Sequence, residues 1–272
     1  MSKALGAHSL SIMSTRQSQT IEDRVDPARA EAWCATLGLK RPVGVGQTLP
    51  LFSHHAFFWE PSRRDQLGDD GHSIDGLARG LSDLPVRMWA GGHVTWHAPF
   101  RSGVAAKKTT RAVAVTRKSG RSGQLDFVTL RHEIHQRGAL VLSEDQELVF
   151  REEGSRAADK MAATGEADER RALKLDLVTL FQFSALTFNA HRIHYDADYA
   201  RALGYDGVVV HGPLLAAVLA GFAEDHFGAV KSFSFRAHAP LVLGEVAWLC
   251  RAGAQLWVEG ARRGIAMTAE AA

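Results

Sequence analysis

One short segment concentrates side chains that can do chemistry. Residues 187–199 read TFNAHRIHYDADY, which brings together two histidines, an asparagine, an arginine, two aspartates and two tyrosines. Histidine titrates near neutral pH, and imidazole together with carboxylate can also bind zinc or iron. Three interpretations fit these residue types: a metal site, an acid–base site, or a polar turn whose histidines pair with the neighbouring aspartates.

The spacing of the histidines argues against a metal site. His191 and His194 are three residues apart, and Asp196 follows closely. In a β-strand, positions i and i+3 point to opposite faces, so these side chains converge only on a helix or a turn. The segment contains no cysteine and offers no obvious third ligand. We therefore predict that no metal binds here and that His191 is not a ligand.

A second motif favours acid–base chemistry over a simple turn. His211, Gly212 and Pro213 precede the segment LLAAVLAGFAEDHF, in which large apolar residues recur at helical spacing. Proline suits the first turn of a helix, and the unpaired N–H groups there carry the positive end of the helix dipole. Such a group stabilises an oxyanion that develops on a carbonyl. The two motifs together can form an acid–base site beside an oxyanion hole.

The composition is that of an ordinary globular protein. Of the 272 residues, 46% are hydrophobic and 23% charged, and the formal net charge is +2. Without a block of lysines and arginines, nothing favours nucleic acid as a partner, and without a long apolar run no membrane span is predicted. Cys34 and Cys250 are isolated, which favours a reducing compartment. We expect a cytoplasmic protein. The first twenty residues lack acidic groups, which leaves a mitochondrial transit peptide as the alternative. Met13 could be the natural start.

Residue patterns predict how the chain is organised. A helix is predicted over residues 20–38, and a loop-like region over residues 54–92. An antiparallel meander of about four strands follows, in HVTWHAPF, KKTTRAVAVTRK, LDFVTLRHEIHQR and ALVLSEDQELVFRE. Residues 152–170 are charged and small, as is typical of a linker. The apolar helix after Pro213 precedes three more strands, in residues 230–240, 245–253 and 254–264, the last of which could continue through residues 265–270.

These residues carry a resemblance to a known family. The segment SALTFNAHRIHYDADYARALGYDGVVVHGPLLAAVLAGF resembles the signature of MaoC-like enoyl-thioester hydratases, the (R)-specific hydratases and dehydratases with hot-dog folds. FFWEPS, RMWAGG and TWHAPF are similar to the first half of a double hot-dog branch. That branch includes the mesaconyl-C4-CoA hydratases and the mitochondrial type 2 3-hydroxyacyl-thioester dehydratases. The resemblance extends over about residues 48–262.

The resemblance implies an α+β double hot-dog fold with two antiparallel sheets and a long apolar central helix in the C-terminal half. It implies a degenerate N-terminal hot-dog domain at residues 20–151, with a loop in place of much of its central helix. The linker at 152–170 then leads to a catalytic domain at residues 171–266. Two fused hot dogs already mimic the homodimer of single ones, and the resemblance allows a further homodimer of double hot dogs.

The resemblance also implies roles in the site. His194 falls at the family's catalytic histidine, Asn189 at its catalytic aspartate, and Gly212 at the glycine whose N–H polarises the thioester carbonyl. Because Asn189 cannot take a proton, it is expected to orient water through its amide oxygen and nitrogen while His194 alone acts first as base and then as acid. The expected candidates for substrate contact are Arg87, Arg192, Asp196, His211 and Arg236.

The activity expected from this resemblance is that of a hydro-lyase. It would add water to a 2-enoyl-CoA or remove it, with no cofactor and no metal, on a substrate such as the branched or dicarboxylic mesaconyl-CoA or itaconyl-CoA. Two alternatives remain open. A hot-dog thioesterase would use an acid or asparagine on the central helix, where the first carboxylate, Glu224, lies far along the helix. A non-catalytic acyl-CoA-binding subunit would suit the loss of the aspartate.

Overall fold

Ten strands form one antiparallel sheet. The computed structural model describes residues 18–120, 123–152, 161 and 166–272. The strands are β1 (Ser18–Asp23), β2 (Val86–Trp96), β3 (Ala106–Gly120), β4 (Gly123–Gln136), β5 (Ala139–Arg151), β6 (Glu169–Leu173), β7 (Ser232–Ala237), β8 (Ala247–Ala252), β9 (Gln255–Gly260) and β10 (Gly264–Ala271). They lie side by side in the order β1-β3-β4-β5-β2-β7-β10-β9-β8-β6. The four predicted strands are present as β2 to β5, but only β3, β4 and β5 form a meander, because β2 pairs with β5 and not with β3. Residues 265–270 belong to a separate strand, β10, rather than to a continuation of β9.

Strands β1 to β5, from the first half of the chain, meet strands β6 to β10, from the second half, where β2 pairs with β7. Strand β2 pairs with β5 on one side and with β7 on the other. The prediction of two antiparallel sheets is therefore wrong. Two separate sheets would leave the backbone N–H and C=O groups on the facing edges of β2 and β7 unpaired, and the pairing of these two strands satisfies them.

The described residues contain four α-helices: α1 (Pro27–Leu37), α2 (Leu177–Thr187), α3 (Ala197–Ala202) and α4 (Gly212–Phe227). The predicted helix at 20–38 begins only at Pro27, because residues 18–23 pair with β3 instead. Asp26 caps α1 by accepting from the Ala28 N–H, and Gly38 ends it at a φ of 67°. From residue 38 to residue 85 the only helical segments are three short 3-10 turns, Ser53–Ala56, Arg64–Gln66 and Arg79–Leu81.

The apolar helix α4 packs against four neighbouring strands, β2, β7, β10 and β9. It has 16 residues and ends at Gly228, where φ is 75°, so it is not the long helix that we predicted. No helix in the described part of the chain is long and apolar enough to cross a membrane. Leu214, Leu219 and Phe222 are buried against the sheet, and each such burial contributes about 1.5–3 kcal/mol.

The division into domains at residues 20–151, 152–170 and 171–266 stays a prediction. Most of the linker, residues 153–160 and 162–165, lies outside the described residues. Its last two residues, Glu169 and Arg170, already belong to β6.

Gly92 lies where the two halves meet, opposite Phe235 of β7. A Cβ atom there would lie 2.5 Å from the Asp145 carbonyl oxygen and 2.8 Å from the Phe235 ring. We therefore expect Gly92→Ala to lower the free energy of unfolding by about 1–3 kcal/mol, as overpacking does. Urea denaturation measures this, with Gly44→Ala as the control, because a Cβ at Gly44 meets nothing within 4 Å. Equal stability of the two variants would contradict the close approach at β2 and β7.

Candidate active site

His194 is held in one tautomer at the end of a 3-10 turn, Arg192–His194. Its Nδ1–H donates to the Val209 carbonyl oxygen at 2.7 Å, which leaves Nε2 as the ring nitrogen that can accept a proton. The side chain is buried but lines a cavity. Burial lowers the pKa of His194 to about 4, although the bond to Val209 opposes the shift. At pH 7 the ring is therefore neutral, as a general base must be.

His211 supports the His194 ring from behind. The two imidazoles are stacked with their centroids 3.7 Å apart. The His211 Nε2 bonds to the Ser184 hydroxyl at 2.8 Å, and its buried Nδ1 has no hydrogen-bond partner among the described residues. Burial lowers the pKa of His211 well below its ordinary value, with His194 and His191 adding to the effect. His211 is fully buried and is not among the residues that line the cavity, so its contact with substrate stays a prediction.

Asn189 lines the cavity just after α2 ends at Phe188, which has a φ of 50°. Its Oδ1 accepts from the His191 backbone N–H at 3.0 Å, so the amide oxygen shapes the turn. Its Nδ2 makes no hydrogen bond with another described residue and can donate into the cavity. The structure thus leaves the nitrogen free, whereas we had expected both ends of the amide to orient water.

Gly212 is the first residue of α4 and also lines the cavity. Its N–H lies in the first helical turn, where no intrahelical acceptor exists and where the helix dipole is positive. A Cβ atom at this position would lie 2.7 Å from the Trp89 ring. The absence of a side chain therefore lets Trp89 of β2 pack against the start of the helix.

Arg192 and Asp196 bind each other rather than pointing into the cavity. The Arg192 Nη2 lies 2.7 Å from the Asp196 Oδ2, and its Nη1 donates to the Asp69 carbonyl oxygen at 3.2 Å. Asp196 also caps α3 by accepting from the Tyr199 N–H. Neither side chain is among those that line the cavity. Their contact with substrate stays a prediction, and both stabilise the loop that carries His194.

The cavity has a volume of about 1530 Å³ and is lined by residues of both halves. Two further predicted residues, Arg87 of β2 and Arg236 of β7, line it as well. Neither guanidinium forms an ion pair or a side-chain hydrogen bond with another residue that the structure describes. Burial lowers the pKa of Arg87, and Asp70 opposes that shift. Two guanidinium groups that form no ion pair with another described residue can bind anionic groups in the cavity.

A loop from the first half, residues 68–74, contacts the segment that carries His194. The Arg192 N–H donates to the Asp70 carbonyl oxygen at 2.9 Å. The His72 ring lies 4.1 Å from the His191 ring, centroid to centroid, and both line the cavity. Sequence reasoning treated residues 54–92 as a loop and missed these residues. The available signal was an Asp-Gly-His sequence, which combines a sharp turn with a titratable group.

A second polar cluster lies on the wall that the first half contributes. The His54 Nε2 is 2.9 Å from one Glu144 oxygen, and the His55 Nε2 is 3.5 Å from the other. Burial raises the pKa of Glu144, but His55 and His54 outweigh it and hold the pKa well below its ordinary value. Burial lowers the pKa of His132, beside this cluster, to about 4.

Among the residues that the structure describes, two groups have donor atoms close enough to share a metal ion: His54, His55 and Glu144, and Asp70, His72 and His191. Imidazole and carboxylate suit zinc or iron. Next to the first group, however, the charge of Lys108 interacts with Glu144 and works against a bound cation. That no metal binds stays a prediction.

Gly71 brings the loop at residues 68–74 into contact with the segment that carries His194. Its φ is 85°, and a Cβ atom there would lie 2.0 Å from the Ala190 carbonyl oxygen. We expect Gly71→Ala to push this loop away and to lower both the melting temperature and any turnover. Gly76→Ala is the control, because a Cβ there meets nothing within 4 Å. Thermal unfolding and steady-state kinetics measure the effect; a Gly71→Ala protein indistinguishable from Gly76→Ala would contradict the contact.

Comparison with known proteins identifies a family and relatives that this chain resembles. The family model for hydroxyacyl-thioester dehydratase type 2 matches residues 52–243. The mesaconyl-C(4)-CoA hydratase of Chloroflexus aurantiacus is 39% identical over 234 residues, which cover 83% of this chain and 82% of that protein.

Solved structures agree in fold. HtdX of Mycobacterium tuberculosis has a TM-score of 0.68 at 19% identity and covers 94% of this chain and 99% of its own. A second M. tuberculosis protein, described as having a double hotdog fold, has a TM-score of 0.59 at 13% identity, with 94% and 95% covered. Such identities show the fold alone. The family match extends over most of the chain, and with it we conclude that this chain belongs to the hydroxyacyl-thioester dehydratase type 2 family.

Proposed function

We propose that the protein is a hydro-lyase that adds water to a 2-enoyl thioester or removes it from a 3-hydroxyacyl thioester. One observation carries the proposal: the neutral His194, whose Nε2 is unprotonated, lines the same cavity as the N-terminal residue of α4, Gly212. A base and an oxyanion donor that share one cavity are what this reaction requires.

In the proposed hydration, His194 takes a proton from water at Nε2 as the water oxygen bonds to C3. The negative charge moves to the thioester oxygen, where the Gly212 N–H stabilises it. A positioned base contributes about 10²–10⁴-fold to the rate, and one oxyanion donor about 2.7–4 kcal/mol. The Nδ1–H bond to Val209 keeps the ring in the orientation and tautomer that this role needs.

Asn189 has a different proposed role from the aspartate that the family pattern has at this place. Its Oδ1 is occupied by the His191 N–H, so only Nδ2 is free to donate to the water or to a substrate oxygen. It positions a reactant and moves no proton. Its loss should therefore cost less than the loss of His194.

The proposed substrate is a CoA thioester with a short dicarboxylic acyl chain. The relative from C. aurantiacus is named for mesaconyl-C(4)-CoA, whose acyl chain ends in a free carboxylate. Arg87 and Arg236 line the cavity and form no ion pair with another residue that the structure describes. A guanidinium binds a carboxylate through two parallel hydrogen bonds. We assign the carboxylate to Arg87, because this residue is half-buried whereas Arg236 is exposed. No cofactor beyond the CoA of the substrate is proposed.

The thioesterase alternative gains no support from α4. Glu224, its first carboxylate, forms an ion pair with Arg41 at 3.2 Å and is not among the residues that line the cavity. The pairing of two double hot dogs into a homodimer stays a prediction.

We expect His194→Ala to lower kcat for hydration of a 2-enoyl-CoA by about 10²–10⁴-fold, whereas Asn189→Ala retains measurable turnover. Loss of the enoyl-thioester absorbance measures the rate, with His97→Ala as the control, because His97 is exposed and does not line the cavity. Because His194 accepts a proton only when neutral, kcat/KM should fall on the acid side near its pKa of about 4. Equal, mild losses in the His194 and Asn189 variants would contradict these roles.

We expect Arg87→Gln to raise KM for mesaconyl-C4-CoA by about 10- to 100-fold, which corresponds to a lost hydrogen bond to a charged group. Crotonyl-CoA lacks the carboxylate, so its KM should change little. Arg236→Gln is the matched variant, and steady-state kinetics with both thioesters measure the two changes. If only Arg236→Gln shows this selective effect, the carboxylate binds at Arg236 instead.

A further inference from the structure

Hydration of an enoyl thioester moves two protons, one from water and one to C2. Where the family pattern has an aspartate, this chain has Asn189, which cannot carry a proton at neutral pH. His194 can account for one transfer. A second titratable group in the cavity would therefore replace the proton carrier that is lost where Asn189 stands in place of an aspartate.

The loop at residues 68–74 brings such a group into the cavity from the first half. Two backbone contacts fix it against the segment that carries Asn189 and His194. The Arg192 N–H donates to the Asp70 carbonyl oxygen at 2.9 Å, and Gly71 lies so close to Ala190 that no side chain fits between them. His72 is the next residue, and it lines the cavity together with Asn189 and His194.

His72 and Asp70 form a dyad. The His72 Nδ1–H donates to the Asp70 Oδ2 at 2.9 Å, and the His72 backbone N–H donates to the Oδ1 at 2.9 Å. Both carboxylate oxygens of Asp70 therefore hold one residue. The ring is fixed in tautomer and direction, and its Nε2 makes no hydrogen bond with another described residue. An imidazole oriented by a carboxylate is the arrangement of a proton carrier.

The charges around His72 differ from those around His194, and so does the balance between the neutral and protonated forms of the two rings. Burial lowers the pKa of His72, and Asp70 opposes this by stabilising the imidazolium. Arg87 and Arg79 act in the other direction. His194 has no carboxylate partner among the described residues, so its neutral form is favoured more strongly. Two titratable groups with different surroundings can divide the roles of acid and base.

We propose that His72, oriented by Asp70, is the second proton carrier of the reaction and exchanges the C2 proton of the substrate. This inference rests on the proposed hydration. As water bonds to C3, its proton goes to the His194 Nε2 and the C2=C3 electron pair moves toward the thioester oxygen. The resulting enolate then takes a proton at C2 from the Nε2–H of His72 in its imidazolium form, which Asp70 stabilises. One water has been added, His194 has become an imidazolium and His72 has become neutral.

Return of this proton completes the cycle, through solvent or across His191. The His191 ring lies between the two, at 4.1 Å from the His72 centroid and 5.4 Å from that of His194. Dehydration runs through the same steps in reverse, with neutral His72 taking the C2 proton. Each half of the chain thus supplies one proton carrier, with Asp70 as a positioning residue for His72.

The test uses the full chain and a 2-enoyl-CoA that the wild-type protein hydrates. His72→Ala is expected to lower kcat by about 10²–10⁴-fold while KM changes less than about threefold. Added imidazole should restore part of the activity of His72→Ala, because a free base can enter the space that the ring leaves. Asp70→Asn should lower kcat with KM unchanged, and His97→Ala should behave like the wild type.

His72→Gln keeps the size and the hydrogen-bonding capacity of the side chain but carries no proton. It should keep the wild-type melting temperature and be as slow as His72→Ala, so a folding defect is separable from the loss of chemistry. Activity of His72→Gln within threefold of the wild type would overturn the inference. So would one equivalent of zinc or iron that copurifies with the wild type and is lost in both His72→Gln and His191→Gln. An inactive wild-type protein would instead contradict the proposed hydration itself.

Discussion

Close backbone contact between the two halves of the chain is the constraint on which the site depends. A Cβ atom at Gly91 would lie 2.6 Å from the Phe235 carbonyl oxygen, and one at Gly71 would lie 2.0 Å from the Ala190 carbonyl oxygen. The first contact lets β2 and β7 pair and makes the sheet continuous. The second fixes the loop at residues 68–74 beside His194. Any side chain at these positions would separate the groups that the proposed chemistry needs together.

Burial determines the charge state of three histidines that line the cavity. The pKa values of His54, His132 and His194 are lowered to about 4, mainly by burial, from an ordinary value of 6.5. These residues are neutral in the folded protein at pH 7. As the pH falls, these histidines bind protons in the unfolded chain near pH 6.5 but in the folded chain only near pH 4. The contribution of these histidines to the free energy of unfolding is therefore present above pH 6.5 and is lost as the pH falls from 6.5 to about 4. The same burial that makes His194 a neutral base thus makes the protein sensitive to acid.

Local patterns predicted the parts of the structure that local physics determines. Alternating residues predicted strands β2 to β5, and Pro213 with the apolar residues after it predicted α4. The tautomer of His194 depends on Val209, fifteen residues away, and could not be predicted from the motif itself. The single sheet was missed because the pairing of β2 with β7 joins residues 137 to 145 positions apart, from Thr95 with Ser232 to Gly91 with Arg236. His72 was missed for the same reason: its position beside His191 follows from how the halves pack.

The proposed roles of the site residues share one requirement, which is addition of water across the C2=C3 bond with the thioester left intact. Mass spectrometry of the product formed by the wild-type protein from mesaconyl-C4-CoA in D₂O tests it most directly. Hydration is expected to give a product with one carbon-bound deuterium and one added solvent oxygen, and no free thiol. Release of free CoA with no deuterium on carbon would contradict it.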